Sequence, residues 1–188
     1  MFSDTLKDAT QQNHQDLEKI IVPKIRSIRS EPDYVNLLNL FYSYFGGLEA
    51  RVQSAVDERL LPDYSERRKA MSILNDIEAL DGTAIEMAAN ADLPEIKDHT
   101  AALGALYVME GSTLGGKIIS KMIAQALPGK ADHALTFYQS YGENTGEMWN
   151  TFKTALNEQV NSAEDQQSVI DAANDTFLKF SQWIEKAS

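Results

Sequence analysis

Apolar residues recur along most of this chain with a spacing near 3.6, the period of an amphipathic helix. Leu6, Ala9, Asn13, Leu17 and Ile20 mark one side of a first helix predicted from about Asp4 to about Ile21, with Thr10, His14 and Ile21 beside it. Ser3 or Asp4 supplies its cap, and Pro23, a poor helix-interior residue, predicts a break. Glu31-Pro32-Asp33 opens a second helix, since proline is favoured early in a helix. It carries Tyr34, Leu37, Leu38, Phe41, Tyr44 and Phe45 and is predicted to run to about Leu60, with Gly46-Gly47 as a bend or a close-contact site and Pro62 as its stop. A third helix is expected from about Ser65 to Leu80, ending at Asp81-Gly82, with a short helical turn around Ala84–Asn90. The longest apolar segment, Thr100 to Leu127, is interrupted only by Gly111-Ser-Thr-Leu-Gly-Gly116 and closed by Pro128-Gly129. Helical spacing returns over about Asp132–Tyr141, Thr145–Val160 and Ala163–Lys186. No internal repeat, low-complexity linker or strand pair stands out, so the pattern predicts one all-α domain over residues 1–188.

Composition agrees. With 188 residues, 43% of them hydrophobic, the chain is long enough to bury a core and still enclose a ligand. A formal net charge of −11 argues against nucleic acid or an anionic membrane as partner, and makes any anionic ligand depend on a few well-placed cations. The chain has no cysteine, which excludes disulfides, thiolate metal sites and thiol nucleophiles. The first ten residues lack the basic and apolar runs of a secretory signal, and no stretch approaches the roughly 18 apolar residues of a membrane span. A cytoplasmic protein is the expectation.

Two features stand out chemically. His14 lies mid-helix among Thr10, Asn13, Leu17 and Glu18, where a neutral imidazole can give one axial bond to a haem (heme) iron while its other nitrogen takes a hydrogen bond. Taken alone, an isolated histidine is more often a half-exposed surface or core residue. His99 and His133 have weaker cases, beside Asp98 and Asp132 at loop or helix-start positions. Three glycines between Gly111 and Gly116 cost about 1 kcal/mol each relative to alanine inside a helix. Either a closely packed neighbour or a flat ligand against bare backbone explains them. Tight packing is the commoner cause, and a phosphate loop is disfavoured because no strand precedes the run. There is no Glu-x-x-His pair for a di-iron bundle, no His-Glu-x-x-His and no serine elbow, while a three-histidine zinc site lacks any local motif.

Both features together resemble the haem oxygenase family. Leu6-Lys-Asp-Ala-Thr-Gln-Gln-Asn-His14-Gln-Asp-Leu-Glu18 is similar to the family's proximal helix motif, Leu-x-x-Ala-Thr-x-x-x-His-x-x-x-Glu. Leu106-Tyr-Val-Met-Glu-Gly111-Ser-Thr-Leu-Gly115-Gly116 looks like its distal helix, in a variant close to the bacterial branch, and Val169 to Phe177 resembles the final helix. The likeness spans Leu6 to about Ile184.

This resemblance implies a helical bundle with haem between the first helix and a kinked, glycine-rich distal helix. Haem, as both cofactor and substrate, would be opened to biliverdin, carbon monoxide and ferrous iron using O2 and electrons from a ferredoxin or a flavoprotein reductase. His14 would be the proximal metal ligand, with Glu18 orienting its surroundings. Gly111, Gly115 and Gly116 would let backbone approach the distal face and leave room for water. Lys7 and Lys153 would meet the propionates, Tyr107 would donate to a propionate or pack, and Phe177 would close the pocket. Ser112 stands where many members carry an aspartate, and Gln11 replaces a basic residue of some members. A haem carrier or sensor without turnover, and a haem-free relative of the fold, remain as alternatives. A monomer is the family expectation.

Overall fold

A computed structural model describes residues 1–187 and contains eight α-helices among them, joined by turns and 3₁₀ segments and without a strand. Their bounds are α1 Phe2–Arg26, α2 Glu31–Ala55, α3 Met71–Ala79, α4 His99–Gly111, α5 Gly116–Ala126, α6 Thr136–Gln139, α7 Thr145–Gln159 and α8 Ala163–Lys186. The all-α expectation therefore holds. Among the described residues no helix is long and apolar enough to cross a membrane.

Local chemistry explains where several helices begin. Ser30 accepts from the Asp33 backbone N–H at 3.3 Å, and the Asp33 carboxylate accepts from the Ser30 N–H at 2.9 Å, so α2 starts in a reciprocal cap with Pro32 in its first turn. Ser162 accepts from the Asp165 backbone N–H at the start of α8, and Asp98 from that of Ala101 at the start of α4, each a one-way cap.

Elsewhere tertiary contacts overrule the local signal. α1 runs through Pro23 to Arg26 instead of ending near Ile21. Pro23 is solvent-exposed, so water can serve the carbonyl that its missing N–H leaves free, while Ile25 and Ile28 are buried and draw the chain onward. α2 stops at Ala55, not Leu60, and the Asp57 backbone N–H donates to His99 Nδ1 at 2.9 Å. Gly46-Gly47 leaves α2 continuous and proves to be a close contact: a Cβ on Gly47 would lie 2.9 Å from Leu93 Cδ1. The third helix begins only at Met71, because Tyr64–Glu66 forms a 3₁₀ turn and Arg67 is extended. The predicted turn over Ala84–Asn90 is absent, replaced by a 3₁₀ turn at Asn90–Asp92. Of the helix expected over Asp132–Tyr141 only α6 forms, held by the Asp76 carboxylate, which accepts from the Thr136 and Phe137 N–H groups at 3.0 and 2.8 Å.

The core centres on aromatic side chains of α2, α6 and α8. Phe41, Phe45, Phe137 and Phe180 meet at ring separations of 5.2 to 6.0 Å, and Tyr44 stacks on Phe180 at 4.6 Å. α4 lies directly on α8: a Cβ on Gly104 would sit 2.5 Å from the Val169 carbonyl oxygen and 2.8 Å from Ala172 Cβ. Gly104→Ala should therefore cost about 1–3 kcal/mol through overpacking, despite the better helix propensity of alanine. Chemical denaturation measures this, and an unchanged midpoint would mean that α4 and α8 can separate without penalty.

Candidate functional site

The glycine-rich run is where α4 loses its regular hydrogen bonding. A 3₁₀ turn over Ser112–Gly115 separates α4 from α5. Carbonyls at such a switch need new donors. Ser112 Oγ donates to the Met109 carbonyl at 2.7 Å and Thr113 Oγ1 donates to the Glu110 carbonyl at 2.6 Å. Arg68 reaches in from the loop before α3, and its Nη2 donates to the same Met109 carbonyl at 2.9 Å and to Ser112 Oγ at 2.6 Å. Ser112 is thus engaged by the turn's own scaffold, and its side chain does not stand free at an open face.

The three glycines differ in what surrounds them, and none has a positive φ. Gly116 is buried, and a Cβ there would collide with the Tyr138 carbonyl oxygen. Its missing side chain is explained by packing against α6. A Cβ on Gly111 would meet only the Trp149 ring, at 3.8 Å, and one on Gly115 would meet nothing within 4 Å. Two bare backbone positions, one turn apart, therefore border open space and an indole ring.

Behind the turn lies a buried ionic group. Arg67 and Glu110 are 1% and 3% exposed at their side chains and pair at 2.7 Å. Arg67 also pairs with Asp63 at 2.6 Å. Tyr141 donates to the Glu110 carboxylate at 2.9 Å and accepts from the Arg68 backbone N–H at 2.7 Å. Burial first, then the Glu110 carboxylate, push the Tyr141 phenol up, so it remains a proton donor. Burial lowers Arg68 to about 10, which leaves it charged at neutral pH. Arg67 lies 5.2 Å from the Phe152 ring centroid and Phe152 stacks on Trp149, so the group is joined through packing to the ring beside Gly111.

His14 lies on α1, which packs against α8, α7 and α5. Its ring is 5.5 Å from that of Phe177 on α8, and the imidazole is about half exposed. Glu18, one turn along, places a carboxylate oxygen 3.5 Å from Nε2, a loose contact that another bond could replace. Asn13 donates to Asn174 at 2.7 Å and Asn174 donates to the Ala9 carbonyl, pinning this stretch of α1 to α8. Tyr107 packs 5.5 Å from Trp149, and burial raises its phenol. Lys7 is exposed and Lys153 half-buried, and both add weakly to the Met1 ammonium, which chiefly holds the Asp4 carboxyl below the usual range. The two lysines named from sequence are therefore brought to one end of α1.

These residues suit haem. An accessible imidazole, bare backbone opposite an indole, a phenylalanine edge and two cations for carboxylates are a donor set a porphyrin can use. Among the described residues no cluster of three or more His, Cys, Asp or Glu could hold a metal ion alone. Sequence reasoning missed Trp149, Arg67, Arg68 and Asn174. Only Glu110 gave a signal, as a carboxylate inside an apolar helix that must find a buried partner.

Comparison with known proteins bears on the same elements. The sequence model of the family described as heme oxygenase matches residues 1–186. A heme oxygenase of Xanthomonas campestris pv. campestris is 27% identical over 147 residues, covering 78% of this chain and 86% of that one. The NO- and CO-bound heme oxygenase of Neisseria meningitidis superposes with a TM-score of 0.84 at 20% identity, over 100% of this chain and 92% of the other. A heme oxygenase of the cyanobacterium Synechocystis, solved in complex with heme, gives a TM-score of 0.72 at 16% identity, over 98% and 91%. Motifs, helical bundle and near full-length match agree: the chain belongs to the heme oxygenase family.

Proposed function

We propose that this chain binds haem between α1 and the Ser112–Gly115 turn and opens it oxidatively to biliverdin, carbon monoxide and ferrous iron. The reaction would use O2 and electrons from a ferredoxin or flavoprotein reductase. The observation that carries this reading is the contrast at the turn, where Gly116 is filled by packing while Gly115 borders open space. Tight helix contact explains the first and leaves the second unexplained; a flat ligand explains it.

Bound haem supplies an iron that activates dioxygen and is itself the substrate. His14 would hold that iron, and its contacts with Glu18 and the Phe177 ring would limit the orientation of its imidazole. Gly111 and Gly115 would keep side-chain atoms away from the opposite face, so backbone, not a strong acid, would line the reacting side. Ser112 and Thr113 hold the turn in shape through Met109 and Glu110, and Arg68 braces it from behind. The role of Ser112 is therefore positional. Lys7 and Lys153 would serve the two propionates, one cation for each carboxylate. Tyr107 packs against Trp149 beside the site.

Titration with haemin, followed by reductant in air, tests the proposal. The native chain should give a saturable Soret band that decays to the broad absorption of biliverdin when ascorbate is added. His14→Ala should lose the signature of axial imidazole, with turnover lowered by at least the roughly 10–100-fold that loss of even an outer partner of a metal ligand costs. An unchanged spectrum in that variant would remove His14 from its role. A native Soret band that merely shifts on reduction and persists would mark a haem carrier.

A further inference from the structure

We infer that Ser140 is a positioning residue for the Ser112–Gly115 turn, acting through the Arg68 guanidinium, an inference that rests on the haem site proposed above. Ser140 follows α6 with φ 53° and ψ −113°, and Tyr141 comes next at φ −98° and ψ 13°. These angles are close to those of a type II′ turn, whose first central position favours glycine because a Cβ is crowded there. Among the described residues Asp81 is the one other non-glycine residue with positive φ, and aspartate visits that region more readily than most. A strained serine persists only where its surroundings hold it.

Arg68 does the holding, and it holds two helix ends in the same way. Its Nη1 donates to the Phe137 carbonyl at 3.2 Å and to Ser140 Oγ at 3.3 Å, at the end of α6. Its Nη2 donates to the Met109 carbonyl at 2.9 Å and to Ser112 Oγ at 2.6 Å, at the end of α4. In each case the serine hydroxyl also donates to the carbonyl three residues before it, so hydroxyl and carbonyl form a paired acceptor for one guanidinium nitrogen. Among the described residues Arg68 forms no ion pair, and these four neutral oxygens with the Phe137 ring beneath are what fix its fork.

A hydroxyl is what the easier residue, glycine, lacks at position 140. Serine therefore trades backbone strain for an acceptor that aims Arg68 at Ser112. The connection reaches both ends of the turn, because the Tyr138 carbonyl of α6 fills the place of a Cβ on Gly116 while Arg68 ties Ser140 to Ser112. Tyr141, the second central residue of the strained turn, accepts from the Arg68 backbone N–H at 2.7 Å and donates to Glu110. Loss of the Ser140 hydroxyl leaves the fork anchored at one end only, and Gly111 and Gly115 shift with it.

Three substitutions on the full chain separate strain from hydroxyl. Ser140→Gly loses both and should melt about 2–5 °C above the native chain. Ser140→Ala keeps the strain without the hydroxyl, and Ser140→Thr keeps the hydroxyl under greater strain, so both should melt below it. In the haem-free chain, amide exchange over Ser112–Gly116 should be about tenfold faster in Ser140→Gly and Ser140→Ala, and native in Ser140→Thr. With haemin added, the same two variants should share a shifted Soret band and pH profile, while Ser140→Thr matches the native chain. Exchange and spectrum that simply follow melting temperature, or that stay native in Ser140→Gly and Ser140→Ala, would overturn the assignment. Should Ser140→Thr not fold, the glycine and alanine variants still decide, being alike in the missing hydroxyl and opposite in stability. The exchange arm needs no haem, so a native chain without a Soret band would count against the haem reading separately.

Discussion

Gly115→Ala and Gly116→Ala, one residue apart, are expected to give opposite phenotypes. A methyl group on Gly116 has to displace the Tyr138 carbonyl, which belongs to α6 backbone and cannot rotate away as a side chain could. Overpacking of this kind costs about 3 kcal/mol or more, well above the roughly 1 kcal/mol gained in helix propensity. For a chain of this size each kcal/mol moves the melting temperature by about 2–4 °C, so a loss near 10 °C is expected. Gly115→Ala meets no atom within 4 Å and should melt at or slightly above the native temperature. Its cost should appear in haem binding, because the new methyl projects into the space assigned to the porphyrin. Thermal melts with and without haemin distinguish the two. Equal melting of both variants, or native haem affinity in Gly115→Ala, would contradict this division of roles.

The second large effect lies in the ionic group behind the turn. Removing one member of a buried pair leaves the other charged and unsolvated, a loss of about 3–5 kcal/mol. Arg67→Met strands Glu110, whose remaining polar partner is Tyr141, and Glu110→Gln leaves Arg67 with Asp63 alone. Arg67→Met is expected to be the more damaging change, because Asp63 is partly exposed and can be hydrated whereas Glu110 cannot. The double variant Arg67→Met/Glu110→Gln should cost less than the two single losses added together, since neither charge then remains buried. Urea denaturation of the four proteins gives the coupling energy, and simple additivity would show that the two side chains do not act as a pair. Glu110 immediately precedes Gly111, so variants that still fold should also show altered haem spectra.

Much of the helical framework was legible in the sequence because helices are specified by neighbours three and four residues away. Ser30 with Pro32 and Asp33, Ser162 with Asp165, and the apolar spacing of α7 and α8 are local devices, and their helices start where the pattern places them. The stretch around Asp132–Tyr141 carried the same kind of pattern but depended on Asp76, some sixty residues earlier, for its backbone donors. Pro23 gave a local stop signal that burial of Ile25 and Ile28 overrode.

The candidate site divides along the same line. His14 and the glycine run were visible as residue types that a helix does not otherwise favour. The sequence by itself determined an all-helical chain, its acidity, and two unusual segments suited to one flat ligand. Tertiary structure alone decided that Gly116 is filled while Gly115 lies open, that Ser112 is held by Arg68, and that Glu110 finds Arg67. The reason is distance along the chain. Arg68 and Ser112 are separated by 44 positions and Arg67 and Glu110 by 43, so no periodicity or local motif relates them until folding brings the loop before α3 against the break between α4 and α5.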